Sequence, residues 1–334
     1  MKIHEKYIKR CIEIAKNGLG TTRPNPMVGC VIVHQNNIIG EGFTSPYGGH
    51  HAEVNAIASV LDTSLLKEAT LYVTLEPCSH FGKTPPCTNL IIKYQIPKVV
   101  IGTLDTNSKV SSKGIEVLRA SGCEVIVGIL EDECKIHHKR FFTFHNKQRP
   151  YIILKWAKTK DGYVAPKTRD EQKPVWITNG ISRQLVHKWR AEEHAILVGT
   201  KTVLDDNPSL TVRDWTGQNP IRIVLDKDNK LPKDCNVFNK DAETIVISKQ
   251  NIDFNTNIAS QICTLLHKKN IQSVIIEGGS KTLQTFIDED LWDEARVFTG
   301  KMAFGNGVKA PEFYGNLILE EQIAGDILKI YNND

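Results

Sequence analysis

One histidine and two cysteines limit what this chain can fold into more than any other feature. His51-Ala52-Glu53 opens a helical pattern, Pro77-Cys78 follows an apolar strand pattern at 70–75, and Cys87 stands at the start of a helical pattern over 88–94. One imidazole and two thiolates are three protein ligands, the number with which zinc keeps a fourth position open for water. The loop 79–86 must fold back if Cys87 is to meet Cys78, which asks for strand, loop and helix packed as layers.

The same residues point to a reaction. Zinc lowers the pKa of water in the open position, so hydroxide becomes available near neutral pH. Glu53, two residues past the histidine, can take the water's proton and pass it to a ring nitrogen and a departing amine. The order H-x-E…P-C…C is the pattern of zinc-dependent hydrolytic deaminases that act on nucleobase-like rings. One feature differs: eight residues separate the cysteines here, where the usual motif has two.

Strand and helix patterns alternate along the rest of the chain. An amphipathic helix is expected over 1–17, and apolar runs at 27–33 and 37–42 flank a His-Gln-Asn-Asn turn, a hairpin signal. Further strands are expected at 98–102 and 124–127, with a helix at 112–120 between them. The polar stretch HNKQRP at 145–150 marks a boundary. Beyond it, strand patterns at 151–156, 195–198, 221–226, 244–247, 273–277 and 295–298 are interrupted by helical patterns at 181–190, 258–269 and 280–287. Two α/β domains are expected, over 1–146 and 151–334.

Composition narrows the partners. Lys and Arg number 42 against 38 Asp and Glu, a net charge of +4 with no basic run, which suits a small anionic substrate better than a nucleic acid. No segment approaches the length of a membrane span. Eight cysteines are scattered without a disulfide framework, as in a reducing, cytoplasmic setting. Cys134, His137 and His138 lie among Glu131, Asp132, Lys135 and Lys139, and read as a solvated helix face rather than a second metal site. His50 reads as a loop neighbour of the ligand, with contact to substrate as the alternative.

The elongated loop carries a resemblance. Thr74-Leu75-Glu76-Pro77-Cys78-Ser79-His80, then Gly82-Lys83-Thr84-Pro85-Pro86-Cys87, and Pro24-Asn25-Pro26-Met27-Val28-Gly29 near the N-terminus, are similar to the bifunctional riboflavin-biosynthesis deaminase/reductase family. The resemblance covers nearly the whole chain. It implies a cytidine-deaminase-like three-layer domain followed by a dihydrofolate-reductase-like α/β domain, with zinc and NADPH as cofactors. The implied first step hydrolyses the 2-amino group of 2,5-diamino-6-ribosylamino-4(3H)-pyrimidinone 5′-phosphate. Asn25 is then expected to read the ring and Lys83 to meet the phosphate; a turn Asn and a solvated loop Lys are the alternatives. The family often carries a His where this chain has Thr44, so Thr44 or His50 would have to take its place.

The second half ends a strand in Glu277-Gly278-Gly279 and opens a helix, an arrangement that lets backbone N–H groups approach a phosphate. It is neither a Walker A sequence nor a G-x-G-x-x-G fingerprint, so a Rossmann domain is not indicated. The stretches KWAKTKDG at 155–162, Trp176-Ile177-Thr178, AILVGTKT at 195–202 and DNPSLTVR at 206–213 resemble the family's reductase domain. By that resemblance Ala157, Trp176, Thr202, Asp206 and the run Gly279, Ser280, Lys281, Thr282, Leu283, Gln284 and Thr285 contact NADPH. Lys227 is a candidate for its 2′-phosphate, with a plain surface lysine as the alternative. Lys155, Arg190, Leu210, Arg213 and Glu277 line the substrate side, the arginines suited to a phosphorylated sugar. Trp176 as core and Arg190 as a helix cap are the alternatives. Departures concentrate here: Thr159-Lys160 replaces the family's Ser-Leu, and Pro174 replaces a Ser.

Three functions compete at this stage. They are the bifunctional enzyme, a deaminase of a free or RNA-borne base with a non-reducing accessory domain, and a binding regulator on a catalytically dead scaffold. The intact His51, Glu53, Cys78 and Cys87 argue against the last. A homodimer through the reductase domain is implied by the resemblance only.

Overall fold

Strand alternation organises both halves of the chain. The computed structural model describes residues 2–79, 81, 85–105 and 112–333, and it divides into two units, Met1–Lys147 and Gln148–Asp334. No helix among the described residues is long and apolar enough to cross a membrane.

The first unit runs α1 (Lys2–Ala15), β1 (Gly29–His34), β2 (Asn37–Phe43), α2 (Ala52–Ala58), β3 (Thr70–Leu75), α3 (Cys87–Lys93), β4 (Lys98–Thr103), α4 (Lys113–Ala120), β5 (Glu124–Val127), α5 (Glu131–His137) and α6 (Lys139–Asn146). Its sheet has the order β2-β1-β3-β4-β5, with β1 antiparallel to both neighbours and β3, β4 and β5 parallel. Successive side chains on a strand face opposite ways. Ile32, Leu71, Val73, Val99 and Ile101 therefore pack with Ala56, Ile57, Ile91 and Leu118 on one face, while Val31, Tyr72 and Val100 pack with Tyr7, Ile8, Cys11 and Cys134 on the other. The result is three layers. Close approach of α1 demands glycine at one point, since a Cβ on Gly29 would fall 2.0 Å from the Cys11 carbonyl oxygen.

One expectation fails in this unit. Cys134 and His138 are not on a solvated face; they are 0% and 2% exposed, and His137 is half-buried. The neighbouring Glu, Asp and Lys side chains occupy the outer side of the same helical turns. Charge density along the sequence could not tell the two sides apart.

The second unit runs β6 (Tyr151–Lys158), β7 (Tyr163–Pro166), α7 (Gly180–Glu192), β8 (Ala195–Gly199), α8 (Thr200–Asp206), β9 (Ile221–Leu225), β10 (Thr244–Ile247), α9 (Ile258–Lys268), β11 (Ser273–Glu277), α10 (Ser280–Asp288), β12 (Glu294–Thr299), β13 (Gly307–Lys309), β14 (Asn316–Ile323) and β15 (Asp326–Asn332). Eight strands form one sheet in the order β10-β9-β8-β11-β6-β12-β15-β14. The first six are parallel and the last two antiparallel. Apolar side chains fill both faces: α9 and α10 cover Ile152, Leu154, Val274 and Ile276, and α7 and α8 cover Ile153, Ile196, Val224 and Ile275. Such near-continuous apolar runs are what a sheet covered on both sides requires. The β14–β15 hairpin was not expected from sequence, because β14 is an exposed edge strand whose Glu320 and Glu321 dilute its apolar pattern.

Candidate active sites

Both helix starts of the zinc motif meet the end of β3. His51 caps α2, Cys87 opens α3, and Cys78 lies three residues past β3. The His51 Nδ1 lies 3.5 Å from the Cys78 Sγ and 3.3 Å from the Cys87 Sγ, and all three donor atoms fall within 4.8 Å of one another. Zinc bonds of about 2.0 Å to nitrogen and about 2.3 Å to sulfur at tetrahedral angles set N and S about 3.6 Å apart, so the donor set fits the metal. The backbone supports the pair as well: Cys87 N–H donates to the Cys78 Sγ at 3.3 Å and Thr88 N–H to the Cys78 carbonyl at 3.2 Å. The Cys87 thiol, and after it the His51 ring, hold the Cys78 thiol well below its ordinary value. The Cys78 sulfur, and after it burial, raise the Cys87 thiol well above its ordinary value.

Glu53 sits in the first turn of α2 and is 4% exposed. Burial, and next the charge of Cys78, push its carboxyl up to about 7. A carboxyl poised there can both accept and return a proton at neutral pH. Behind the site, Glu76 accepts from the N–H groups of Ser112 and Gly114, both at 3.0 Å, which ties the turn before Cys78 to the start of α4.

The other deaminase candidates divide. Asn25 is half-buried, its N–H bonded to the Thr22 carbonyl at 3.0 Å, in the turn that leads into β1. Lys83 lies outside the described residues. Thr44 is committed elsewhere: its buried hydroxyl accepts from the Val28 N–H at 3.1 Å. His50 is exposed.

In the second unit, Lys155 and Glu277 are register partners on β6 and β11. Arg190, on α7, donates to the Glu277 Oε2 at 2.7 Å, and the Lys155 Nζ lies 3.7 Å from the Glu277 Oε1. Burial alone would raise the Glu277 carboxyl, but Arg190 and then Lys155 outweigh it and hold it at about 2. Arg190 therefore pairs with a strand-end carboxylate instead of capping its own helix. Its Nη1 also lies 3.4 Å from the Thr211 carbonyl oxygen, and Arg213 donates to the Thr211 hydroxyl at 3.0 Å. Leu210, buried beside them, has φ +56, a left-handed conformation uncommon for leucine. Lys155 and Glu277 are thus neighbours across β6 and β11, with Arg190 on Glu277 and Arg213 on Thr211, and Glu277 closes β11 at its carboxyl end, where open α/β sheets hold ligands. His187 was missed; it is 2% exposed and its Nδ1 accepts from the Arg213 N–H at 2.9 Å. A lone histidine in a helical pattern gave no signal.

The glycine turn is formed as expected. Gly278 and Gly279 have φ of +90 and +76, and a Cβ on Gly279 would lie 3.4 Å from the hydroxyls of both Thr202 and Thr282. The Thr202 and Thr282 hydroxyls stand against the glycine backbone at the start of α10, whose first N–H groups have no acceptor within the helix, and a Cβ on Gly278 would fall 2.8 Å from the Thr202 side chain. That is a fit for a cofactor phosphate. Ser280 and Lys281 lie in the same first turn, half-buried and exposed respectively. The later residues of the run turn away. Leu283 is in the core, the Gln284 amide bonds to the backbone of Glu312, and the Thr285 hydroxyl bonds back to the Lys281 carbonyl.

The remaining cofactor candidates lie on separate elements. Trp176 is 53% exposed, so it is not core, and the Arg183 guanidinium stands 5.0 Å from its ring centroid. The Asp206 carboxylate pairs with Arg169. Ala157 is half-buried on β6, and Lys227 is exposed just past β9. Thr159 and Lys160 are used in a turn: the Thr159 hydroxyl accepts from the Tyr163 N–H at 2.9 Å, and the Lys160 N–H donates to the Met302 carbonyl at 3.0 Å.

Residues 1–103 match the cytidine and deoxycytidylate deaminase zinc-binding region, and residues 150–321 match the RibD C-terminal domain. The chain is 39% identical to the riboflavin biosynthesis protein RibD of Aquifex aeolicus, over 99% of this chain and 96% of the relative. The corresponding protein of Actinobacillus pleuropneumoniae is 36% identical, with 91% and 86% covered. Among solved structures, a diaminohydroxyphosphoribosylaminopyrimidine deaminase/5-amino-6-(5-phosphoribosylamino)uracil reductase of Thermotoga maritima superposes with a TM-score of 0.90 at 40% identity, covering 99% of each chain. Acinetobacter baumannii RibD gives 0.88 at 32% identity, with the same coverage. With a zinc-type donor set at the end of β3, a glycine turn opening α10 at the end of β11, and relatives matched from end to end, the chain belongs to the RibD family of riboflavin biosynthesis proteins.

Proposed function

We infer that this chain performs two successive reactions of riboflavin biosynthesis, with deamination assigned to residues 1–146 and NADPH-dependent reduction to residues 151–334. The observation that carries the first assignment is the tetrahedral-size spacing of the His51 Nδ1 and the Cys78 and Cys87 sulfurs. Zinc held there supplies a water acidic enough to lose its proton near neutral pH. Glu53 carries the two protons of that water in turn, the first to the ring nitrogen and the second, from the hydroxyl added to the ring carbon, to the amino group that leaves as ammonia. Asn25 orients the ring, and Lys83 meets the phosphate. The balance is one water consumed and one ammonia released.

In the reductase, NADPH supplies a hydride for the ribosyl carbonyl. The turn at Gly278 and Gly279, with Thr202, Ser280, Lys281 and Thr282, holds a cofactor phosphate; Ala157, Trp176, Asp206 and Lys227 complete that side. Lys155, Arg190, Leu210, Arg213 and Glu277 surround the sugar phosphate. Arg190 is already paired with Glu277, so the phosphate falls chiefly to Arg213. A second copy of the chain pairs along β14, where Leu317, Ile318 and Leu319 are 49%, 57% and 42% exposed on a sheet edge. All eight cysteines are unpaired, in keeping with work in the reducing cytoplasm.

Incubation of the full chain with the diaminopyrimidine phosphate, with and without NADPH, tests the assignment by product mass. Exchange of an amino group for oxygen is expected in both samples, and gain of two hydrogens only with NADPH. A product unchanged by NADPH would leave deamination alone.

A further inference from the structure

The turn that leads into β1 is held at three successive residues by side chains from elsewhere in the first unit. The His137 Nε2 lies 2.7 Å from the Met27 carbonyl oxygen. The Val28 N–H donates to the Thr44 hydroxyl at 3.1 Å, and the Gly29 N–H to the Thr74 hydroxyl at 3.2 Å. Behind Thr74 stands His138, its Nε2 3.1 Å from the same hydroxyl. Thr74 belongs to β3, the strand that ends at the zinc-type donors, and it lies opposite Gly29 because Cys30 pairs with Val73.

A carbonyl only accepts, so the His137 Nε2 must carry a proton. Burial holds the His137 ring at about 4, the carbonyl bond opposing this, and holds His138 well below its ordinary value. Both rings are thus neutral at physiological pH. A neutral ring with its proton on Nε2 gives a bond of fixed direction. The two histidines come from one helix-to-helix junction, where α5 ends and α6 begins. One rigid corner therefore grips both the turn carrying Asn25 and the strand leading to Cys78.

We propose that His137, backed by His138 through Thr74, is a positioning residue for deamination: it sets the distance between the ring-reading turn 25–29 and the metal end of β3. This rests on the reading that Asn25 faces the pyrimidine. His137 touches neither substrate nor metal, and acts through the Met27 carbonyl.

The test uses the full-length zinc-loaded chain and ammonia release from the diaminopyrimidine phosphate. His137→Leu removes the donor at similar bulk and should raise the deaminase KM about three- to tenfold, the size of one net hydrogen bond, with kcat changed much less. Zinc content and NADPH-dependent reduction should stay at parental levels. His137→Gln, whose amide can reach the same carbonyl, should bring KM back toward the parent. Thr74→Val, which keeps shape but loses the hydroxyl shared by Gly29 and His138, should raise KM in the same direction. Parental KM in His137→Leu overturns the proposal whatever Thr74→Val does, as does a fall in zinc content or a failure of Gln to restore KM. Asn25→Ala separates the two levels: if it leaves KM untouched, the reading of Asn25 falls and this inference with it. If it raises KM while His137→Leu does not, the inference alone falls.

Discussion

Replacing Glu277 by glutamine should destabilise the second unit by an amount the structure allows to be worked out. Its carboxylate accepts from Arg190 at 2.7 Å and faces the Lys155 ammonium at 3.7 Å, on side chains that are all at most 15% exposed. The carboxyl is held at about 2 against an ordinary 4.5. At about 1.4 kcal/mol per factor of ten in acidity, that difference is about 3 kcal/mol of stabilisation at neutral pH. Glutamine keeps the shape but leaves two buried cations uncompensated, a loss of about 3–5 kcal/mol by analogy with other buried pairs. For a domain of this size, about 3 kcal/mol lowers Tm by roughly 6–12 °C. The native carboxyl is more acidic than the unfolded one. Its contribution is therefore complete above about pH 4.5 and fades as the pH falls toward about 2, so the gap between parent and variant should narrow over that window. Trp156, Trp176, Trp189, Trp215 and Trp292 are the chain's five tryptophans, and all lie in the second unit. Tryptophan fluorescence during thermal unfolding therefore reports on that unit alone. A variant melting within about 2 °C of the parent at pH 7 would refute the reasoning, since it would mean that the ion cluster contributes far less than a buried pair.

Three further outcomes are expected. Cys87→Ser should lose most of the bound zinc, measured as metal per chain, because a three-ligand site cannot spare a thiolate. Glu53→Gln should keep its zinc but lose at least about a hundredfold in deaminase kcat, with reduction untouched; a near-parental rate would remove Glu53 from the proton path. Gly279→Val places a β-branched residue at φ +76 with two hydroxyls 3.4 Å from its Cβ, so NADPH titration should show weakened binding while ammonia release stays parental.

The zinc set was legible in sequence because its chemistry is carried by residue type and order: His51, Glu53, Cys78 and Cys87 stand at a helix start, a strand end and a second helix start. Strands buried on both faces were equally legible, and Thr70–Leu75 and Ser273–Glu277 form as their apolar runs imply. Asn25, Lys155, Arg190 and Arg213 reached the list of site residues only through resemblance, since a polar residue beside a strand or in a turn carries no mark of what it faces. Long-range pairing was invisible. Nothing local says that Arg190 joins Glu277 across 87 positions, that Thr44 is consumed by Val28, or that His137 reaches back 110 positions to Met27. Local sequence determines periodicity, turn chemistry and the identity of reactive groups. Which side of a helix is buried, and which carbonyl a histidine meets, is decided by the packing of distant elements, because burial and hydrogen-bond direction are properties of the assembled layers.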